Sequence, residues 1–276
     1  MRPLLGCFVE IGVDADLPAQ AIEKAFNAIE QIQARMSFQA PESALSRLNR
    51  AGGAWVRLDR QTRCVLQLAR GLGARSAERF NCTVGGALVG RGVLPALPMP
   101  VMDGGTSQDI EIEGDAARLR RPVAVTLDGI AKGFAVDCAV RVLRRLGARG
   151  GWINAGGDLR VFGACELPLT ARDAHGALQA LGSLSTGAVA ASWVAAGDTA
   201  ASLAGAAQSF PAFIVGAQEA KTGEVFHVFA RSAWRADALT KVAACSPAQE
   251  RAAVVARLGA YLLESSALPN PKPAPR

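Results

Sequence analysis

Strand-like alternation and helix-like apolar spacing succeed one another along this chain without a regular strand–helix–strand beat, and that irregularity constrains its fold most. Phe8-Val9-Glu10-Ile11-Gly12-Val13 alternates with a period of two, as a strand with one buried face does. Pro18 then opens a helix whose apolar residues Ile22, Ala25, Phe26, Ile29, Ile32 and Met36 share one face. Asp59 reads as the N-cap of a second helix that turns Val65, Leu66, Leu68, Ala69 and Leu72 inward. Residues 85–105, punctuated by Gly and Pro, read as irregular. Strands are expected at 110–112 and 123–127 around a Gly114-Asp115 turn, then a helix from near Gly129 to Leu146 with Gly147 closing it. Two more strands flank Gly156-Gly157-Asp158, and others are expected at 188–191, 212–215 and 224–230. A helix is expected near Asp237, and Ser246 with Gln249 reads as the capping box of the last one. Elements mixed in this way predict an α+β fold rather than a doubly wound parallel sheet.

With 276 residues, half of them hydrophobic (50%), the chain can bury a substantial core. Residues 1–267 read as a single domain and the Pro-rich residues 268–276 as a disordered tail. The net charge of +6 is mild, and one Tyr with ten Phe offers no stacking surface, so no nucleic-acid partner is expected. Six cysteines contain no C-x-x-C pair and are joined only by His175 and His227, which argues against a Cys/His zinc site. Leu4-Leu5-Gly6-Cys7 resembles a lipoprotein cleavage box. Met1, Arg2 and Pro3 cannot supply the roughly 7–15 apolar residues of an export signal. Residues 177–217 are mostly Ala, Gly, Ser and Thr and include Asp198, so no transmembrane segment is expected. As written, the chain is expected to be cytoplasmic.

Three patches carry the chemistry. In Thr126-Leu127-Asp128-Gly129-Ile130-Ala131-Lys132-Gly133 a strand pattern becomes a helix pattern. Backbone N–H groups and Lys132 there suit a phosphate, or else Asp128 is a plain N-cap beside a solvated lysine. Asn154-Ala155-Gly156-Gly157-Asp158 allows close backbone approach to a ligand, or a simple hairpin turn. Asp237 and Thr240 lie on one helical face and could share a hard cation, whereas Asp237 with Lys241 reads as an i,i+4 ion pair. No Rossmann, Walker or G-x-S-x-G pattern is present.

Taken in order, Pro41-Glu42-Ser43-Ala44-Leu45-Ser46-Arg47-Leu48-Asn49, then Asp128–Gly133 with Asp137, residues 153–158, and Ala236-Asp237-Ala238-Leu239 closely resemble the ApbE family of FAD:protein FMN transferases, from about Gly6 to about Leu263. The resemblance implies an ApbE-type, T-fold-like α+β architecture of two lobes with a ligand cleft between them. It implies FAD as substrate, Mg²⁺ assistance, transfer of FMN to a Thr or Ser hydroxyl, release of AMP, and an acceptor flavoprotein of electron transport. Family members often work in the periplasm. By resemblance, Asp237 and Lys132 would be catalytic, with Gly129, Asp237 and Thr240 as metal ligands. Leu5, Gln39, Arg79, Phe80, Asn81, Thr126, Asp128, Lys132 and Phe213 would contact FAD, and Asp158 would shape the cleft floor.

The sequence also departs from the family pattern. Lys241 stands where a second metal-binding Thr or Asp is usual, so it would either repel Mg²⁺ or place its ammonium near the metal's position. Thr126 and Asn81 each stand where an aspartate is common, and Leu5 where a methionine is. The family's His-Ile-x-Asp-Pro motif falls at Ala212-Phe213-Ile214-Val215, without its histidine or aspartate. These departures motivate an alternative: an FAD-binding protein of the same fold with impaired catalysis.

Overall fold

The computed structural model describes residues 1–13, 17–172, 178–194, 214–221 and 223–263. Its elements run β1 (Arg2–Leu4), β2 (Cys7–Val13), α1 (Ala19–Met36), α2 (Ala44–Asn49), β3 (Val56–Arg57), α3 (Arg60–Arg75), α4 (Gly85–Gly90), β4 (Ile110–Glu113), β5 (Ala116–Leu119) and α5 (Ala131–Arg145). They continue with β6 (Gly150–Ala155), β7 (Asp158–Gly163), β8 (Leu167–Arg172), β9 (Leu178–Leu184), β10 (Gly187–Trp193), β11 (Val225–Ala230), α6 (Ala233–Ala244), α7 (Arg251–Arg257) and β12 (Ala260–Leu263). The principal sheet is seven-stranded in the order β1-β2-β6-β7-β10-β11-β12, every neighbouring pair antiparallel. A three-stranded sheet has the order β3-β5-β4, and β8 pairs with β9. The expected α+β class is what the chain adopts.

Apolar spacing explains the long helices. Phe26, Ile29, Ile32 and Met36 of α1 are buried, and α1 packs on α5, which packs on α6. Ile29, Ile32, Leu66, Leu143, Ile153, Phe162 and Leu239 are all fully buried in one core cluster shared by helices and sheet. Each such side chain contributes about 1.5–3 kcal/mol by leaving water. Asp59 caps α3 by accepting from the N–H groups of Gln61 and Thr62, as its sequence position implies. The Gly156-Gly157 turn joins β6 to β7 with φ of +59° and +98°, a pair of left-handed conformations that a two-residue hairpin of the favoured twist requires.

Several expected elements differ. The partner of β4 is β5 at Ala116–Leu119, directly across the two-residue Gly114-Asp115 turn, and not residues 123–127. That later run is extended and buried, but Ala124 makes only an isolated bridge to Val84. The Asn49 side chain serves its backbone instead, donating to the Val125 carbonyl and accepting from the Val125 N–H, both at 2.8 Å. Within residues 85–105 a short helix, α4, forms. Gly86 is needed there because a Cβ would lie 2.0 Å from the Met102 carbonyl oxygen. Ser246 does not cap the last helix: its hydroxyl donates to the Val242 carbonyl at 2.7 Å, and α7 begins after Glu250 without a side-chain cap. Of the strand expected at 212–215, Ile214 and Val215 are not in a strand, and residues 212–213 lie outside the described residues, as does the tail at 268–276.

Candidate functional site

The site forms where the turn before α5 meets the second turn of α6. Asp137 of α5 accepts from the N–H groups of Ala233 (3.1 Å) and Trp234 (3.0 Å), so one helix caps the other. Gly133 lets them touch, since a Cβ there would stand 2.3 Å from the Ala233 carbonyl oxygen. The same Gly133 donates its N–H to Asp237 Oδ2 at 3.1 Å. Asp237 is fully buried, and its Oδ1 pairs with the Lys241 ammonium, which also donates to the Asp237 carbonyl at 3.0 Å. The i,i+4 ion pair is therefore present.

A second ammonium–carboxylate pair lies beside the first. Lys132 Nζ is 3.2 Å from Asp158 Oδ2, and the Asp158 side chain is only 2% exposed. Burial pushes the Asp158 carboxyl up to about 6, with Lys132 opposing and Asp237 adding to the rise. Burial alone would lower the Lys132 ammonium, yet Asp158 and Asp237, with Cys7, raise it above its ordinary value. Lys132 is thus a paired cation rather than a solvated lysine. Gly156 leaves room for Cys7, whose Cβ would be 2.8 Å from an added Cβ, so the β1–β2 and β6–β7 turns adjoin at the sheet end nearest Lys132.

Asp128 does not cap α5. Ile130 is the N-cap residue, and Asp128 Oδ2 instead accepts from the Thr126 hydroxyl at 3.0 Å. The Asp128 side chain meets water on one side and is closed in by protein on the others. That enclosure raises its carboxyl, and Asp237 adds to the effect, while Thr126 and Lys241 oppose it. A Cβ on Gly129 would lie 3.5 Å from the buried Phe80 ring and 3.6 Å from Lys241 Cε, so the lysine stem runs over this glycine. Thr126, Asp128, Gly129, Lys132, Asp237 and Phe80 are thereby brought together, joined by Asp158 and Lys241.

Other expected residues stand differently. Thr240 is turned to the sheet: its hydroxyl donates to the Asp237 carbonyl and bonds Ser192 of β10, both at 2.7 Å. Asn81 braces its own loop, donating to the Gly105 carbonyl at 2.7 Å and accepting from Thr83. Arg79 pairs with Glu250 at 2.6 Å. Gln39 is exposed and bonds Ser37. Leu5, with a left-handed φ of +56°, sits in the β1–β2 turn next to Cys7, a strained conformation for a leucine. Phe213 lies outside the described residues. His227 is on β11 between Phe226 and Val228, which point into the core with Leu239 and Val242, so it faces the other side of the sheet. A depression of about 170 Å³ lined by Leu48, Asn49, Gly52, Arg121 and neighbours shares none of these residues. Ser192 gave no functional signal in the sequence, and the pairing of Asn49 with Val125 gave none, because the partners are distant along the chain.

A divalent cation fits this donor set poorly. Mg²⁺ wants near-octahedral oxygen ligands at about 2.0–2.1 Å. Here Asp237 Oδ1 faces an ammonium, Oδ2 takes an amide, and the Thr240 hydroxyl is bonded to Ser192. Among the described residues no group of three or more His, Cys, Asp or Glu could hold a metal. Nor is any helix among them long and apolar enough to cross a membrane.

A model described as the ApbE family matches residues 5–192 of the chain. Solved structures share the fold over nearly its whole length. The apbe protein of Thermotoga maritima is 21% identical with a TM-score of 0.74, over 94% of this chain and 91% of that one. The flavinyl transferase ApbE of Pseudomonas stutzeri, in apo form, is 17% identical with a TM-score of 0.72, over 95% and 92%. The flavin transferase ApbE of Vibrio cholerae is 19% identical with a TM-score of 0.72, over 96% of both chains. At such identities the likeness speaks for the fold. Among curated proteins no sequence matches.

Proposed function

The chain belongs to the ApbE family, and on that premise we propose that it is a flavin transferase that uses FAD as substrate. The acceptor is a protein hydroxyl of Thr or Ser, on a flavoprotein of electron transport. The hydroxyl oxygen attacks the phosphorus on the FMN side of the FAD diphosphate. A new P–O bond to the acceptor forms, the P–O bond to the AMP phosphate breaks, and AMP departs with the electron pair. The observation that carries this reading is the convergence of two ammonium groups, Lys132 and Lys241, about buried Asp237, with the exposed Asp128 beside Lys241. Charge gathers on the phosphoryl oxygens and the leaving phosphate as the bond breaks, and fixed cations stabilise it.

The side chains then divide the work. Lys132 is held toward the diphosphate by buried Asp158. Of the three site carboxylates, Asp128 alone is open to water, and it takes the hydroxyl proton. Leu5 offers apolar surface to the flavin, the buried Phe80 ring backs Gly129, and Thr126 orients Asp128. The Asp237, Gly129 and Thr240 set does not suit Mg²⁺ as it stands, so no step is assigned to a metal. Incubation with FAD and a threonine-bearing acceptor should release AMP and leave the acceptor fluorescent under denaturing conditions. Absence of AMP above a protein-free blank would remove the transferase reading.

One observation favours a second reading, FAD binding without turnover: Asp237 is neutralised by Lys241, and Ala212 stands in place of the family histidine. That reading expects quenching of flavin fluorescence with no AMP in the same incubation.

A further inference from the structure

Lys241 is fixed to an unusual degree for a lysine. Its stem lies over Gly129, and its ammonium donates to both the carbonyl and the carboxylate of Asp237. An ammonium has three donors, and among the described residues two are spent on Asp237. The side chain is still 19% exposed, so the third can reach the solvent side. Asp237 in turn is held by the Gly133 N–H, so the whole pair is registered to the backbone of α5. Lys132 is influenced by the same Asp237 charge.

A metal ion coordinated by Asp237 would have to share Oδ1 with this ammonium, and two cations at that separation repel strongly where water is scarce. Thr240, which could have offered a hydroxyl, is committed to Ser192 of β10 and to the Asp237 carbonyl. The position next to Asp237 thus already holds a positive charge, delivered by the chain itself. We infer that Lys241 is the resident cation of the diphosphate site, standing in for a divalent metal, with Asp237 as its anchor. A lysine is a compact point charge with directional donors, able to meet a phosphate oxygen without a hydration shell to strip from a metal. The nature of the bound anion rests on the flavin-transferase reading, whereas the exclusion of a metal from Asp237 rests on the geometry alone.

Two measurements on the purified full chain test this. Mn²⁺ binding is followed by electron paramagnetic resonance with and without FAD, and FAD affinity by fluorescence quenching in EDTA or in Mg²⁺. The native protein should leave Mn²⁺ as the free aquo ion, and its FAD affinity should differ by less than about twofold between EDTA and Mg²⁺. Lys241→Thr should lose about tenfold or more in FAD affinity in EDTA, a change of roughly 1.4 kcal/mol or more, and should gain a stoichiometric Mn²⁺ site. Lys241→Arg keeps the charge and should remain indifferent to metal, which guards against a misfolded Thr variant. The inference is overturned if native protein binds Mn²⁺ stoichiometrically and Asp237→Asn abolishes it. It is equally overturned if Lys241→Thr takes up no Mn²⁺ or keeps native FAD affinity in EDTA, or if Lys241→Arg becomes metal-dependent. Should no form bind FAD, the transferase reading fails, and the Mn²⁺ measurements alone still decide whether Lys241 excludes a metal.

Discussion

The amide of Gly133 donates to the Asp237 carboxylate at 3.1 Å, so the buried acid of α6 is positioned by the backbone of α5 as well as by Lys241 of its own helix. The contact exists because a residue without Cβ stands there. Gly133→Ala would put a methyl 2.3 Å from the Ala233 carbonyl oxygen and 2.7 Å from the Trp234 Cα. Neither is a flexible side-chain end, so the two helices must part. The expected cost is about 1–3 kcal/mol, read as a lower urea midpoint. Flavin affinity should fall with it, because Asp237 and Lys241 move together. Unchanged stability in the alanine variant would mean that the helices do not approach as closely as described.

Asn49 supports a different part of the site. Its amide satisfies both backbone groups of Val125, one residue before Thr126. Asn49→Leu would leave two buried polar groups without partners, at about 1–3 kcal/mol each. Asn49→Asp should be nearly as damaging, because a carboxylate can accept from the Val125 N–H but cannot donate to its carbonyl. Equilibrium denaturation of the two variants measures both effects, and a near-native Asp variant would contradict the pairing.

These two contacts also mark what could be read along the chain and what could not. The stripe Phe26, Ile29, Ile32, Met36, the Asp59 cap and the Gly156-Gly157 hairpin are local, set by spacing or by a conformation only glycine adopts easily, and they were legible. The run at 123–127 has the composition of a strand, but its partners are the Asn49 side chain, the N–H of Gly85 and the carbonyl of Cys82, all brought up by tertiary folding. The cap of α6 comes from Asp137 on another helix. Lys241 with Asp237 was legible as an ion pair from its spacing. The helical face shared with Asp237 also offers Thr240 as a cation ligand, and a helix wheel does not reveal that Ser192 of β10 takes its hydroxyl.

Stability should decline with pH in a way that isolates Asp158. Burial raises this carboxyl to about 6 in the folded chain, despite Lys132 beside it, whereas an unfolded aspartate titrates near ~3.9. Between those values the native state keeps a proton that the unfolded state releases. The contribution is therefore complete below about pH 4 and lost as pH rises through 6. Asp158→Asn cannot titrate. The difference in melting temperature, native minus variant, should fall between about pH 4 and 6.5 and stay level above, since Lys132 remains charged throughout. A difference that is flat across this range would show that Asp158 ionises normally.

The Lys132–Asp158 pair separates structure from function most sharply. Lys132→Met leaves the Asp158 carboxylate, 2% exposed, without its ammonium. Removing one member of a buried pair typically costs about 3–5 kcal/mol. The double variant Lys132→Met with Asp158→Asn removes the orphaned charge as well and should recover most of that loss. Stability and flavin binding then part company. If Lys132 serves only to neutralise Asp158, the double variant should bind FAD as the native chain does. If Lys132 meets the diphosphate, FAD affinity should stay down by about tenfold or more in both variants, because restoring the fold does not restore the cation. Thermal melting and fluorescence titration of the same preparations give the two readouts. A double variant with native stability and native flavin affinity would confine Lys132 to a structural role.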